Sequence, residues 1–375
     1  MFLHAKTRYL FVFTMAVVLA MLALPFSQPA SAVQIDRLYD VVVPVASQSS
    51  SELAKANKAG LRTVFIRVSG NRGVVEQPAI SKAIEQAKNY TRQFYYEARI
   101  NPVDGSEQAV VVIEFEPQLV EQQLRLAGLP LWSANRPSVL VWMAIDDKDG
   151  RRFVNAERDP EVVQAITDSA RRRGLPVRFP TLDLQDMVAL SVDDVWQLKA
   201  YSVEAAAERY HADTLLIGRV SKLSSGEWLG RWFYRAEQQQ FEIDGDASSI
   251  SEYVAVALDQ VAESLAQQYA IAPVDIADGG VLLRLTGIVS FVDYARAMTY
   301  LESVVAIRHA NVVSIQGDEI LVRLVADGLL TQLQQAFALD RRIQPLPLVE
   351  HIASVDLQNG SVISLQYRWP SVSRK

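Results

Sequence analysis

The stretch "VFIRVSGNRGVVEQPAISKAI", residues 64–84, decides how the first third of the chain is interpreted. An apolar run ends at Gly70, and a second glycine, Gly73, follows. Proline is favoured in the first turn of a helix, so Pro78 indicates that a helix begins there. This order predicts a strand, a turn and a helix, as in phosphate-binding loops. Val74 and Val75 stand where such a loop needs lysine and a hydroxyl, so a plain glycine turn is the preferred interpretation.

The same alternation extends over residues 33–130, which we interpret as a first α/β domain. Hydrophobic periodicity and helix-ending glycines define its elements. The predicted strands are 38–45, 62–70 and 109–116, and the predicted helices are 51–59, 78–94 and 117–127.

A second α/β domain is predicted over residues 137–272, after a proline-containing linker at 129–137. Its strands are predicted at 138–145, 175–180, 213–220, 227–236 and 239–244. Four helices are predicted in this domain. One begins at Pro160, and one begins at the capping box of Ser191 and Asp194. The third spans 202–212, and the fourth has the apolar face Val254–Leu265.

The remaining residues, 279–375, predict a third domain. The order strand, helix, strand, strand, helix, with a possible strand near Ile343, is typical of the ferredoxin-like split βαβ pattern. Asn359-Gly360 predicts the turn of a C-terminal β-hairpin. The fold class is therefore α/β of the α+β kind, with three small mixed-sheet domains.

Residues 1–32 have the three-part pattern of a secretory signal peptide. Lys6 and Arg8 precede an apolar run, and Ala30 and Ala32 occupy the positions that a signal peptidase reads. The apolar run is shorter than the ~20 residues that span a bilayer, although a retained membrane anchor is the alternative. Cleavage after Ala32 would deliver the chain to the periplasm with no integral membrane segment.

Composition excludes several classes of chemistry. The chain has no cysteine, which excludes disulfides, thiol catalysis, thiolate zinc sites and iron–sulfur clusters. Two of the 37 basic residues lie in the signal peptide, so 35 accompany 43 acidic residues in the mature chain. This acidic balance argues against nucleic acid or anionic lipid as a partner.

No motif predicts a catalytic residue, a metal site or a cofactor. Asp147 and Asp149 match two positions of a calcium loop, but Ile145 and Ala156 stand where that loop needs its first and last carboxylates. The three histidines of the mature chain are scattered, and no nucleophile elbow occurs. Carboxylate pairs stay open, because the acidic residues offer too many combinations.

The most distinctive candidate for a binding surface is "EWLGRWFYR", residues 227–235. On a strand, Trp228, Trp232 and Tyr234 point one way and Arg231 points the other. Aromatic residues with arginine are enriched in binding hot spots, so these four residues are the candidate interface. The alternative, which is the preferred interpretation, is that both faces of the strand belong to the core, under helices and a neighbouring domain.

The segment "LYDVVVPVASQSSSELAKANKAGLRTVFIRVSGNRG" (38–73) resembles the opening of a gammaproteobacterial envelope family known as domain of unknown function 2066. That family implies no activity and no functional residue. The motif "AAERYHADTLLIGRV" (206–220) is similar to the N-terminal domain of the translocation protein TolB. This second resemblance implies an α/β domain used for contacts between envelope proteins.

Two functional hypotheses follow. In the first, the chain is a non-catalytic periplasmic protein that binds envelope proteins through aromatic strand surfaces or sheet edges. In the second, it is an envelope hydrolase or a peptidoglycan-binding protein that uses carboxylates in an interdomain cleft. The missing catalytic motifs favour the first.

Overall fold

A computed structural model describes most of the chain after the predicted signal peptide. It covers residues 33–34, 37–100, 104–237, 239–272, 280–327, 330–340, 342–347 and 363–370. The predicted α+β class is confirmed, since three sheets with antiparallel or mixed strands carry helices on their faces. None of the helices in these ranges combines the length and the apolar content needed to cross a membrane.

The first sheet is antiparallel and has the strand order β2-β4-β3. Helices α1, α2 and α3 cover one of its faces and share its core. The elements of this part are β1 (Val33–Gln34), β2 (Asp40–Pro44), α1 (Ser50–Ser69), α2 (Pro78–Glu85), β3 (Thr91–Ile100), β4 (Glu107–Phe115) and α3 (Pro117–Leu126).

The predicted strand at 62–70 is wrong, because α1 continues through it. Helix α1 begins after the N-cap Ser49 and ends at Gly70, whose φ of 74° is left-handed and whose N–H donates to the carbonyl of Ile66. The apolar residues that predicted a strand are also spaced three and four apart, so Leu61, Val64, Phe65 and Val68 all lie buried on one helical face. Packing of that face overrides the strand propensity of valine.

The predicted helix at 78–94 is also shorter than expected. Helix α2 ends at Glu85, a 3₁₀ turn follows, and Phe94 lies in β3. The aromatic and β-branched residues from Thr91 onward favour a strand, which pairs with β4 from Thr91 to Ile100. The first sheet therefore has a ten-residue strand that the sequence interpretation missed.

The middle sheet has the strand order β11-β10-β9-β6-β7, and β8 also pairs with β6. Strands β6, β8 and β9 are parallel, whereas β10 and β11 extend the sheet antiparallel. Its elements are β6 (Val139–Asp146), β7 (Arg152–Phe153), α4 (Pro160–Arg173), β8 (Val177–Arg178), α5 (Leu184–Ala189), α6 (Val192–Trp196), α7 (Ala200–Ala207), β9 (Thr214–Lys222), β10 (Trp228–Arg235), β11 (Gln240–Ala247) and α8 (Ile250–Tyr269). Helices α4 and α8 pack on one face, and α6 and α7 pack on the other.

The third sheet has the strand order β13-β14-β12-β16-β15. Strand β14 lies antiparallel between β13 and β12, as in a split βαβ unit, and β16 lies parallel to β12. Its elements are β12 (Val281–Thr286), α9 (Phe291–Ser303), β13 (Ile307–Gln316), β14 (Glu319–Ala326), α10 (Leu330–Leu339), β15 (Gln344–Pro345) and β16 (Ile363–Arg368). The hairpin turn predicted at Asn359-Gly360 lies outside the described residues, and the domain boundaries stay predictions.

A buried arginine joins the first sheet's helices to the middle sheet. The Nη1 of Arg136 donates to the carbonyls of Arg173 and Gly174, each at 3.0 Å, and its Nη2 donates to the carbonyl of Arg67 at 2.8 Å. A short strand, β5 (Asn135–Arg136), carries this arginine. The carbonyls at the ends of α1 and α4, which have no partners inside their helices, are thereby satisfied. We call this contact the Arg136 joint.

Candidate functional site

The structure places the predicted aromatic interface residues in the core. Trp228, Trp232 and Tyr234 of β10 are 4%, 1% and 0% exposed and lie beneath α8. The ring of Trp232 stacks on Tyr253 of that helix, with centroids 5.6 Å apart. The interface prediction is corrected for these three residues, because a partner cannot reach rings that a helix covers.

Arg231 lies on the opposite face of β10 and stays partly exposed. Its guanidinium pairs with Asp244 and Glu242 of the neighbouring strand β11. The structure therefore separates Arg231 from the three rings instead of bringing the four residues together. The predicted cleavage residues Ala30 and Ala32 lie outside the described residues.

The other sequence candidates have structural partners. Gly70 ends α1, and Arg72 after it pairs with Asp259 and Glu263 of α8, so the glycine stretch forms an interhelical contact. Asp147 accepts two hydrogen bonds from Arg152. Within the described ranges, no cluster of three or more histidine, aspartate or glutamate side chains is arranged to hold a metal ion.

A groove with apolar walls lies between the first half of α1 and the start of β3. Its volume is about 570 Å³, and its lining includes Leu53, Ala54, Asn57, Ala87, Thr91 and Phe94. This volume is within the range of known ligand sites, about 300–1,000 Å³. We call it the β3 groove.

One polar contact joins the two walls of the β3 groove. The hydroxyl of Thr91 donates to Oδ1 of Asn57 at 2.8 Å, and Asn57 itself is buried. The same hydroxyl lies 3.3 Å from the carbonyl of Ala87, the first residue of the preceding 3₁₀ turn. These contacts tie the start of β3 to α1. The part of β3 that follows them borders the open volume of the groove.

Strand β3 exposes apolar side chains along its length. Phe94 is 44% exposed, Tyr95 is 43% exposed and Ile100 is 73% exposed. Phe94 points to the helix side with Tyr96, since their rings meet edge to face at 6.0 Å. Phe94 therefore forms the wall of the groove nearest the sheet edge.

The outer edge of β3 is free to pair. In the described part of the chain, β3 pairs with β4 alone, and the pairing is regular from Gln93 to Ile100. An unpaired edge presents a row of N–H and C=O groups to which another strand can add.

Two other long edge strands are protected against such pairing. Strand β13 carries two register irregularities, near Ile307 and near Val312, and irregularities of this kind disrupt an edge. Strand β11 exposes Glu242, Asp244 and Asp246 on one face of the sheet, and charged residues on an edge strand also discourage pairing. Strand β3 has one irregularity, between Thr91 and Gln93, and its pairing is regular from there to Ile100.

Basic residues surround the β3 groove. Lys58 pairs with Glu85 across it. Lys88 and Arg92, which also line the groove, are exposed. No carboxylate among the described residues lies within ion-pair distance of either, so the groove carries unpaired positive charge.

A second cavity, of about 590 Å³, lies between α3 and the third sheet. Its lining includes Glu121, Arg125, Glu302, Arg308 and His309. The hydrolase hypothesis would place its carboxylates in a cleft of this kind.

Two carboxylates at this second cavity, Glu121 in its lining and Asp327 beside it, have structural partners. Glu121 accepts a hydrogen bond from Tyr39 at 2.6 Å, and burial with the neighbouring Glu121 raises the pKa of Tyr39. Asp327 is 3.2 Å from Arg125 and 3.0 Å from Arg308. The ion pair between Asp327 and Arg125 therefore connects the third sheet to α3, whereas Glu121 is bonded within the first part of the chain, so both carboxylates have structural roles.

Sequence reasoning missed the β3 groove because residues 78–94 were assigned to one helix. The signal that could have found it is "TRQFYYEARI" (91–100), a run with three adjacent aromatic residues and strand-favouring ends.

The first part of the chain is similar to a known protein family. The family described as "Domain of unknown function (DUF8605)" matches residues 32–133. It differs from domain of unknown function 2066, and that resemblance stays a prediction. No curated protein sequence matches the chain.

Among similar solved structures is one titled "Crystal structure of uncharacterized protein". It is 10% identical, the match covers 36% of this chain and 99% of that chain, and the TM-score is 0.16. The family match covers the part of the chain that carries the β3 groove.

Proposed function

We propose that the protein is a non-catalytic binding protein of the bacterial cell envelope, and that it captures an extended segment of another protein along β3. One observation carries the proposal: a long, regular and unpaired strand edge borders an apolar groove. Addition of a strand to a sheet edge is a recurring mode of peptide recognition.

The proposed contact has two parts. Main-chain hydrogen bonds between the edge of β3 and the partner give affinity without regard to sequence. Alternate side chains of the partner point to the helix side, where Leu53 and Phe94 offer apolar surface. Specificity follows from those side chains.

Charge complementarity defines the partner further. Lys88 and Arg92 supply positive charge at the groove without a carboxylate of their own, as described above. An extended segment that alternates apolar and acidic residues places its carboxylates near these cations. The preferred partner is therefore an acidic, apolar strand.

The proposed compartment rests on the sequence of residues 1–32. We propose that the chain is exported to the periplasm and cleaved after Ala32. In a diderm bacterial host, the mature protein should then occur in the periplasmic fraction with Val33 at its N-terminus. A cytoplasmic product that begins at Met1 would overturn this part of the proposal.

The binding proposal is tested with a fluorescein-labelled peptide of alternating valine and glutamate, as long as β3, which has ten residues. Fluorescence anisotropy should show saturable binding to the mature chain. Phe94→Ala should weaken binding at least about tenfold, as expected for an aromatic anchor. The double variant Lys88→Glu, Arg92→Glu should weaken it as well, because it reverses the charge at the groove.

Matched controls separate strand addition from nonspecific adhesion. Tyr201→Ala removes an exposed aromatic ring from α7, and Lys82→Glu reverses an exposed charge on α2, so both should leave binding unchanged. A peptide N-methylated at alternate residues cannot complete the strand pairing and should not bind. Equal binding of the methylated peptide, or an unchanged affinity of Phe94→Ala, contradicts the proposal.

A further inference from the structure

The outer face of the middle sheet contains a cavity of about 330 Å³ that lies apart from the β3 groove. Its lining comprises Trp196, Arg219, Ser221, Leu229, Arg231 and Asp244, together with Gly230. Trp196 comes from α6, and the other residues come from β9, β10 and β11. We call it the Arg219 pocket.

Two arginines oppose each other in the sheet beneath this pocket. Arg219 of β9 and Arg231 of β10 are direct cross-strand partners, so their side chains leave the same face of the sheet from directly opposite positions. Like charges placed directly opposite each other destabilise a sheet. A choice of residues that conflicts with local stability is a sign of function.

The carboxylates of the sheet neutralise one of the two arginines. Asp244 lies directly opposite Arg231 on the other side, and the Nε and Nη2 of Arg231 contact its carboxylate at 2.5 Å and 3.1 Å. Glu242 accepts from the Nη1 of the same arginine at 2.9 Å. The charge of Arg231 is therefore balanced by these two carboxylates.

Arg219 has no such partner among the described residues. Its Nη1 donates to the backbone carbonyl of Trp196 at 3.1 Å, and no carboxylate in the described ranges lies within ion-pair distance. The guanidinium is partly buried and also lies near the ring of Trp196, with Cζ 5.9 Å from its centroid. A partly desolvated cation without a counterion favours binding of an anion.

The apolar part of the pocket indicates what the anion is attached to. Leu229 is 51% exposed at its edge, and Trp196 is held in place by Arg151, whose Cζ is 4.1 Å from the ring centroid. Arg151 in turn pairs with Asp146 and Asp193, so its charge is balanced. The pocket therefore combines one available guanidinium with aromatic and aliphatic surface.

We propose that the Arg219 pocket binds a carboxylate carried on an apolar group, as in a free organic acid or the C-terminal residue of a peptide. The carboxylate accepts from the Nε and Nη2 of Arg219, in the paired geometry that guanidinium and carboxylate share. The apolar substituent lies against Trp196 and Leu229. This site is independent of the β3 groove.

The proposal is tested by titrating N-acetyl-leucine into the ¹⁵N-labelled mature chain. The indole N–H signal of Trp196, assigned with Trp196→Phe, should shift saturably. N-acetyl-leucine amide, which lacks the carboxylate, should not bind. The peptide N-acetyl-Ala-Ala-Leu distinguishes the sources: tighter binding than N-acetyl-leucine identifies a peptide C-terminus, and weaker binding identifies a small organic acid.

Variants locate the binding to the pocket. Arg219→Gln should weaken binding of N-acetyl-leucine at least about tenfold, because it removes the charged donor pair. Arg235→Gln, on the same face of β10 but outside the lining, should change it less than about twofold. Leu229→Glu gives a second test at an exposed position, since a carboxylate at the pocket edge should abolish binding without disturbing the core.

Three outcomes would overturn the proposal. The first is the absence of a saturable shift at Trp196 with any carboxylate at millimolar concentration. The second is equal binding of the amide. The third is equal binding of inorganic phosphate, which would indicate attraction of any anion without use of the apolar surface. Failure here leaves the β3 groove untouched, because the peptide experiment uses different residues.

Discussion

The guanidinium of Arg136 lies over the indole ring of Trp132, with Cζ 3.8 Å from the ring centroid. Both side chains are buried, at 0% and 1% exposure, and the same guanidinium donates to carbonyls at the ends of α1 and α4. Arg136 thus combines a cation–π contact with hydrogen bonds that no apolar residue replaces.

Replacement of this arginine should therefore cost much stability. Arg136→Met should lower the free energy of unfolding by at least about 3 kcal/mol, because it leaves several buried carbonyls without donors. Urea denaturation measures the change. Arg171→Met, at the same end of α4 but exposed, should stay within about 0.5 kcal/mol of the parent. Equal losses in the two variants would contradict the role of the Arg136 joint.

Gly70 should be as sensitive for a different reason. Its φ is 74°, and an added Cβ would lie 2.1 Å from the Cβ of Ala266 in α8. Gly70→Ala should lower the free energy of unfolding by about 2–4 kcal/mol, from left-handed backbone strain and overpacking. Gly128→Ala is the matched control, since its φ is 68° and nothing lies within 4 Å of the added atom. It should cost only about 1–2 kcal/mol.

The pair of Asp147 and Arg152 should make stability depend on acid pH. The two hydrogen bonds from Arg152 hold the pKa of Asp147 below its ordinary value of 3.8. Because the carboxylate is the form that folding favours, its contribution is present above pH 3.8 and is lost as the pH falls through the lower, folded-state pKa.

The measurement compares Asp147→Asn with the parent chain across pH. Near neutral pH, the substitution should lower the free energy of unfolding by about 1–3 kcal/mol, and the difference should shrink below pH ~4. Asp149→Asn changes an exposed neighbour and should give a difference below about 0.5 kcal/mol throughout. A loss at Asp147 that does not vary with pH would contradict the argument.

The hydrogen bond between the two walls of the β3 groove should appear as a coupling energy. Thr91→Val removes the hydroxyl that donates to the buried amide of Asn57, at a cost of about 1–3 kcal/mol. Combined with Asn57→Ala, the loss should be smaller than the sum of the two single losses by about 1 kcal/mol. Additive losses would show that the two side chains do not interact.

Local sequence rules predicted the ends of two helices that pack on the middle sheet. Ser191 and Asp194 form the predicted capping box, and α4 begins at Pro160 and ends before Gly174 as its pattern indicates. These features depend on a few neighbouring residues and on intrinsic conformational preference. Such capping and proline preferences therefore predict helix ends without knowledge of the tertiary packing.

The misassigned elements depended on packing at a distance. Val64 and Val68 favour a strand by residue type, but contacts of one face of α1 with the sheet make that segment helical. The burial of Trp232 required knowledge that α8 covers β10, and the opposition of Arg219 and Arg231 required the strand register. Neither the covering helix nor the register is contained in the local pattern.

The Arg136 joint also determines how the protein responds to its surroundings. Its acceptors are peptide carbonyls, which neither gain a proton in acid nor lose one in base, and the absence of cysteine leaves no bond there for a reductant to break. Acidification that weakens the contact between Asp147 and Arg152 leaves these acceptors unchanged. The first and middle sheets should therefore remain docked under acid or reducing stress, long after surface ion pairs have been lost.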